Sequence, residues 1–586
     1  MVFLHNHLNL ESALVFVRWV VLPSLFIVSW FAPRLGESWL GPIERAASRF
    51  ANNKGKTIVA VAFVATLARL ALLWRMPVPV PHVHDEFSYL LLGDTLAHWR
   101  LVNPPHPMWI FFDTFHVLPR PTYVSMFPPA QGAVLALGQL LGQPWIGVLL
   151  SMSAACAAIT WMLQGWVPAR WALLGGILAV MRIHLGSYWV DSYWGGGVAA
   201  MGGALVVGAL PRILKKQRLR DAIIMGLGAG LLANSRPLEG GLFCIPVAVL
   251  ISAWTFSQRG PSFQTKSWRV VFPLACTLTA ALLFMAYYNW RTTGNPLLMP
   301  HLLYSREYIN YPIFVWQSPR APLHYSNPQF ETYFNDWVRT TFKTSWSLLW
   351  NTCHQWRGFF LGGSLSLPFL ALPWSVRNRR VRFLLIQFIF CAIGLLLVVY
   401  FQPHYAAPMT ATVFALLIQS MRYLRRWEIT RRPIGIFLTR LVVLLAVVRV
   451  VAVGVQTDHS RETFWSFHRA RIVAQLEATP GSHLVLVHYQ PDHSFYEEWV
   501  YNAADIDNSK IVWAREIPGV DPKPLLDYFK EKVVWELDAD ANPAQIHPYR
   551  GAVSTVESYE PTARVCFLIS FPLLKHCADI DGVFGL

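Results

Sequence analysis

Residues 81–100, "PHVHDEFSYLLLGDTLAHWR", decide how this chain is read. They follow an apolar run at 57–76 and a stiff "PVPVP" at 77–81, and they set His82, His84, Asp85 and Glu86 where the chain leaves that run. About 20 apolar residues suffice to cross a bilayer. Two adjacent carboxylates therefore stand at the mouth of a candidate membrane span. Successive residues face different ways on a helix or a strand. One carboxylate is free to face a cavity while the other holds structure or a second ligand. A carboxylate partly withdrawn from water there is the better base. The plain alternative is a solvated loop acid. The density of His, Trp, Tyr and Pro around the pair favours an ordered site.

Composition supports a membrane setting. The 586 residues are 54% hydrophobic and 14% charged, against about 25% charged in soluble domains. The 26 tryptophans and 20 tyrosines suit membrane interfaces. Spans are expected near 13–32, 57–76, 145–165, 170–186, 195–211, 221–234, 238–256, 269–289, 355–374, 381–400, 405–423 and 434–454. The first contains Arg18 and Pro23, so an interfacial placement is the alternative. The fold class is a polytopic α-helical membrane protein of about 11–12 spans. An N-terminal segment (1–56) precedes a transmembrane catalytic domain (57–454), and an extracytoplasmic domain follows (455–586).

The net charge of +16 does not signal nucleic acid, because the basic residues cluster between apolar spans. Loops at 49–56, 211–220, 257–269, 376–382 and 422–433 are rich in Lys and Arg; those at 77–130, 184–197, 234–241, 290–354 and 401–405 are not. Lys/Arg excess marks the cytoplasmic side. The acidic pair and everything after residue 455 are thus expected on the extracytoplasmic face of the plasma (inner) membrane. In that last part, "HLVLVHY" (483–489), "KIVWARE" (510–516) and "KVVWELDA" (532–539) read as strands and "DPKPLLDYFKE" (521–531) as a helix, a small α/β domain. Cys566 and Cys577 are candidates for a disulfide there.

Other outer residues join the candidate site. "NPPHPMWIFFDTFH" (103–116) and "PTYVSMFPPAQG" (121–132) read as interfacial helices broken by prolines. His106, Asp113 and His116 form a candidate second polar cluster, with helix capping an equal alternative. Asp191 in "SYWVDSYWGGG" has the aromatics and glycines of a sugar-stacking surface, or of an ordinary aromatic belt. Arg236 and Glu239 in "ANSRPLEGGL" either meet substrate or pair with each other. Arg291, His301, Arg306, His404 and Tyr405 share that side, where cations suit a phosphate ligand. The His-x-His-Asp-Glu order offers ligand types for a divalent metal. Its spacing matches no closed site, and no obligatory metal or cofactor is expected.

Together these features resemble the C-type membrane glycosyltransferases, which include protein O-mannosyltransferases and lipid A aminoarabinose transferases. The resemblance covers roughly residues 57–424. It rests on Asp85-Glu86 in the first outer loop, the Pro128-Pro129 step, Asp191 in a second outer loop, and "HYAAP" at 404–408. Two positions depart from the pattern: His404 stands for an arginine and Phe127 for a lysine. The resemblance implies an inverting transfer from a polyprenyl-phosphate sugar to a glycan, lipid or protein hydroxyl. Asp85 would be the base, Glu86 would position it or bind a sugar hydroxyl, and Asp191 would join the catalytic acids. His84, His106, Asp113, Glu239, His404 and Tyr405 would bind substrate. Arg236 or Arg306 would steady the leaving phosphate. Rival readings are a transporter or flippase for lipid-linked sugars, and a polysaccharide polymerase or ligase of another fold.

Overall fold

The computed structural model describes residues 22–258, 260–338, 346–455 and 464–549. Cys566 and Cys577 lie outside the described residues, as does the first part of the 13–32 candidate.

In chain order the main helices are α1 (Leu22–Phe31), α2 (Glu37–Ala51), α3 (Lys54–Leu70), α4 (His84–Ala97), α5 (Pro129–Leu140), α6 (Pro144–Trp166), α7 (Ala169–Ala179), α8 (Gly197–Lys216), α9 (Leu219–Ala233) and α10 (Pro237–Phe256). There follow α11 (Phe272–Thr293), α12 (Pro300–Glu307), α13 (Trp346–Phe360), α14 (Arg379–Leu396), α15 (Thr410–Leu424), α16 (Ile434–Val455), α17 (Trp465–Ala478) and α18 (Lys523–Tyr528). Among the described residues, five helices are long and apolar enough to cross a membrane: Pro144–Trp166, Gly197–Lys216, Pro237–Phe256, Phe263–Thr293 and Ile434–Val455. Helix also falls in each of the other stretches expected to span. Some of it is broken. The 355–374 candidate ends as α-helix at Phe360 and resumes as a 3-10 segment over Ser364–Ala371. Gly362 there has φ +59°, which ends a helix, and Pro368 removes a further N–H.

The loops sort into two groups by contact. At one end of the bundle, Glu86 accepts from Tyr193 N–H (3.0 Å), Arg69 pairs with Asp191 (2.7 Å), Ala130 N–H donates to Asn234 C=O (2.9 Å), and Tyr188 Oη meets His404 Nδ1 (3.0 Å). Elsewhere, Gln164 donates to Lys54 C=O (3.0 Å), Gln419 to Trp166 C=O (3.3 Å), and Arg425 pairs with Glu44 (2.7 Å). The first group draws on four of the stretches poor in Lys and Arg (77–130, 184–197, 234–241 and 401–405), and the second includes Lys54 and Arg425 of two basic ones.

The 77–130 stretch differs from expectation. The acidic pair lies in the first turn of a helix, α4, not in a loop. The 103–116 stretch is a 3-10 turn, Trp109–Phe112, because Pro104, Pro105 and Pro107 strip it of donors. A small hairpin follows, β1 (Val117–Leu118) with β2 (Val124–Ser125), and helix starts only at Pro129. There α4 seats on α5 with almost no gap. A Cβ on Gly93 would lie 2.8 Å from Leu135 Cβ, and one on Gly132 would be closer still to Leu92.

The α/β domain forms a four-stranded sheet in the order β4 (Ile511–Arg515), β3 (His483–His488), β5 (Val533–Asp538), β6 (Gln545–Pro548). β3 runs parallel to both neighbours, and β6 is antiparallel. Alternate side chains of β3 serve opposite faces, as strand geometry requires. Val485 and Val487 pack with Trp465, Ile472 and Leu476 of α17. Leu484 and Leu486 pack with Leu525 and Phe529, and with Leu91, Phe111 and Phe112 of the 77–130 stretch. Phe87 of α4 joins the other face beside Trp499 and Tyr501. Burying two such side chains contributes about 1.5–3 kcal/mol each, so α4 is held by the bundle and the α/β domain together.

Candidate active site

Glu86 is fully buried and its carboxylate is occupied by backbone donors. Oε2 accepts from His82 N–H (2.9 Å) and Val83 N–H (3.2 Å), and Oε1 from Tyr193 N–H (3.0 Å). The helix N-cap is Val83, which has no polar side chain, so Glu86 at the third position reaches back as half of a capping box. Burial pushes this carboxyl upward from its ordinary range, against the three N–H groups that favour the charge. Glu86 braces the site; its oxygens leave little for a sugar.

Asp85 points elsewhere. Its Oδ1 lies 2.6 Å from His116 Nδ1, a charge contact rather than an aligned hydrogen bond. Both side chains keep some exposure, 17% and 16%. Asp85 is also within electrostatic reach of Arg236, Tyr89, Tyr311, Tyr400 and Tyr405. A carboxylate among phenols and one guanidinium suits a polyhydroxylated, anionic ligand.

Arg236 stands at the N-terminus of α10 with its Cζ 4.7 Å over the Tyr405 ring. It senses Glu239 and Asp85, yet its guanidinium has no hydrogen-bond partner among the described residues. Next to its Tyr405 partner runs a seam too narrow to hold a water molecule, lined by Glu239, Leu242, Cys391, Leu395, Tyr405, Pro408 and Met409. Apart from Glu239 and Tyr405 that lining is apolar. His404, fully buried, holds Tyr188 through Nδ1, while its Nε2 has no hydrogen-bond partner among the described residues. Burial first, then the Arg236 charge, holds His404 well below the usual imidazole range, so it is neutral and does not replace an arginine's charge.

Other candidates have different work. Asp191 accepts from Arg69 Nε (3.0 Å) and Nη2 (2.7 Å), and Arg69 also holds Met76 C=O (2.8 Å). A fully buried arginine needs such a partner, so Asp191 anchors the exit of α3 instead of joining the catalytic acids. The expected cluster of His106, Asp113 and His116 does not form. His106 bonds Asp507 (2.9 Å) across to the α/β domain and stacks on Phe529. Asp113 accepts from Tyr308 Oη (3.0 Å), within electrostatic reach of the Arg515–Glu498 pair of the α/β domain, and burial raises its carboxyl to about 7. His116 alone reaches Asp85. His84 bonds Tyr501 Oη (2.8 Å) and stacks on Phe115 at 4.3 Å; burial, with His116 adding to it, pulls it down to about 3. It is a neutral support behind the site. Arg306 is exposed on α12. Among the described residues, no group of three or more His, Cys, Asp or Glu is placed to hold a metal.

Sequence reasoning missed the Asp85–His116 pairing because a hairpin creates it. Two short apolar runs around Pro119 and Pro121 were the available signal.

No family model matches this chain, and no curated protein does. Among solved structures it is similar to ArnT from Cupriavidus metallidurans. The apo form is 13% identical, with TM-score 0.46, over 81% of this chain and 92% of that one. The form bound to undecaprenyl phosphate is also 13% identical, with TM-score 0.46, over 82% and 92%. It is similar too to the apo oligosaccharyltransferase of Archaeoglobus fulgidus, at 12% identity and TM-score 0.41, over 76% of this chain. The chain spans 64% of that oligosaccharyltransferase's length.

Proposed function

We propose that this protein is an inverting membrane glycosyltransferase. It moves a sugar from a polyprenyl-phosphate donor to an acceptor hydroxyl on the extracytoplasmic face, within a bundle of about 11–12 spans. The observation that carries this reading is the Asp85 carboxylate within electrostatic reach of the Arg236 guanidinium, which lies over the Tyr405 ring and has no hydrogen-bond partner among the described residues. A base for the acceptor hydroxyl and a cation for the leaving phosphate are two requirements of that reaction.

In the step itself the acceptor oxygen attacks the anomeric carbon from the face opposite the phosphate. Its proton passes to Asp85 as the new C–O bond forms. The bond between the anomeric carbon and the phosphate oxygen breaks, and its electron pair stays on the phosphate. Arg236 stabilises that growing charge. Tyr405, under the guanidinium, fixes its plane. Glu86 holds the turn that presents Asp85.

The test uses purified full-length protein with lipid-linked sugars extracted from cells that lack it. Wild type should release free polyprenyl phosphate and consume no nucleotide sugar. Asp85→Asn should lower turnover by about 10²–10⁴-fold while thermal unfolding is unchanged. Donor crossing the membrane intact would make the protein a transporter. Full turnover by Asp85→Asn would remove Asp85 as the base.

A further inference from the structure

His116 has φ +61°, a left-handed conformation that costs a non-glycine residue about 1–3 kcal/mol. Three hydrogen bonds keep it there. Its N–H donates to Tyr304 Oη (3.0 Å), and its C=O accepts from Ser88 Oγ (2.6 Å) and Met126 N–H (3.1 Å). Ser88 is one helical turn beyond Asp85 on α4, so the hairpin and the acid are tied to the same few residues. The strained backbone sends the ring toward α4, to 2.6 Å from Asp85 Oδ1. Its walls are Phe127 (5.8 Å), Tyr304 (5.9 Å) and His84 (5.8 Å) between ring centroids. Asp85 is the one carboxylate at Nδ1 among the described residues, and Nε2 has no protein partner there.

The geometry points to His116 as the positioning residue of Asp85: Nδ1–H donated to Oδ1 fixes the carboxylate rotamer and leaves Oδ2 for the acceptor hydroxyl. This rests on the reading of Asp85 as base. Catalytic hydrogen bonds often align only once substrate is bound, and the 2.6 Å separation already brings the two atoms within hydrogen-bond reach. The left-handed backbone, tied down at three points, is what a packing residue would not need.

Two variants fit the backbone. Glycine takes φ +61° freely, and asparagine is among the side chains that tolerate it. Asparagine also places its Nδ2–H about where Nδ1 sits. With the extracted lipid-linked sugars as donor, His116→Gly should lose about 10²-fold in kcat, with KM within about threefold. Added imidazole should restore a large part of that loss. His116→Asn should stay within about fivefold of wild type, because the donor remains. Equal loss in both variants, a His116→Gly enzyme at wild-type kcat, or a loss that imidazole does not repair would each overturn the assignment. Inactive wild type, or an active Asp85→Asn, would instead sink the parent reading.

Discussion

Glu86 on α4 accepts a hydrogen bond from the backbone of Tyr193, 3.0 Å away and in the 184–197 connection. One buried carboxylate thus joins the turn that carries Asp85 to the loop that carries Asp191. Replacing it with glutamine leaves one oxygen for three N–H donors and turns an NH2 toward a backbone N–H. Each donor left unsatisfied costs about 1–3 kcal/mol. Glu86→Gln is expected to lower the unfolding midpoint by several degrees. An unchanged thermal melt would show that the brace carries no stability.

The Arg236 guanidinium is expected to act on the leaving group. Arg236→Ala should reduce kcat by about 10²–10³-fold. Arg306→Ala, on an exposed helix face, should stay within about twofold. Turnover of both variants on the same donor extract decides between the two arginines.

Asp113 gives a pH dependence with a definite sign. Burial raises its carboxyl from the ordinary 3.8 to about 7, so the folded state binds this proton more tightly than the unfolded chain. The stabilisation is present in full below pH 4 and disappears as pH rises to about 7. Asp113→Asn keeps the oxygen that Tyr308 donates to and cannot ionise. It should flatten that fall and melt higher than wild type at pH 8. Unfolding curves of both proteins across pH 4–8 measure it; parallel curves would contradict the assignment.

Asp94 ties the α/β domain to α4: Oδ2 accepts from Ala504 N–H (2.7 Å), and Oδ1 from Gln139 (2.7 Å). Asp94→Ala should cost about 1–3 kcal/mol at that junction. Limited proteolysis should then release the α/β domain faster than from wild type, with the bundle left intact.

Reporter fusions at residues 215 and 470 should report opposite sides of the membrane, because Lys/Arg content separates these segments. The same side for both would misplace the site.

Much of the architecture is legible in the sequence because it rests on local patterns. The strands at 483–488, 511–515 and 533–538 fall within the stretches 483–489, 510–516 and 532–539 that read as strands in the sequence. α4 is not legible. Phe87 and Leu91 face the α/β domain while Leu92 and Gly93 face α5, so the helix shows no single apolar stripe to read. Asp191 looked open because its partner, Arg69, sits inside an apolar run. Proximity in sequence puts His116 beside Asp113, but the hairpin turns it toward Asp85 instead. Local periodicity specifies elements; it does not specify which loops meet.

The helix that presents Asp85 is a keystone between two bodies. An exchange of the α/β domain between proteins, meant to alter acceptor choice, would fail if cut near residue 464. Phe87, Leu91, Phe111 and Phe112 would then meet a foreign surface. A working graft would have to carry 84–125 with it.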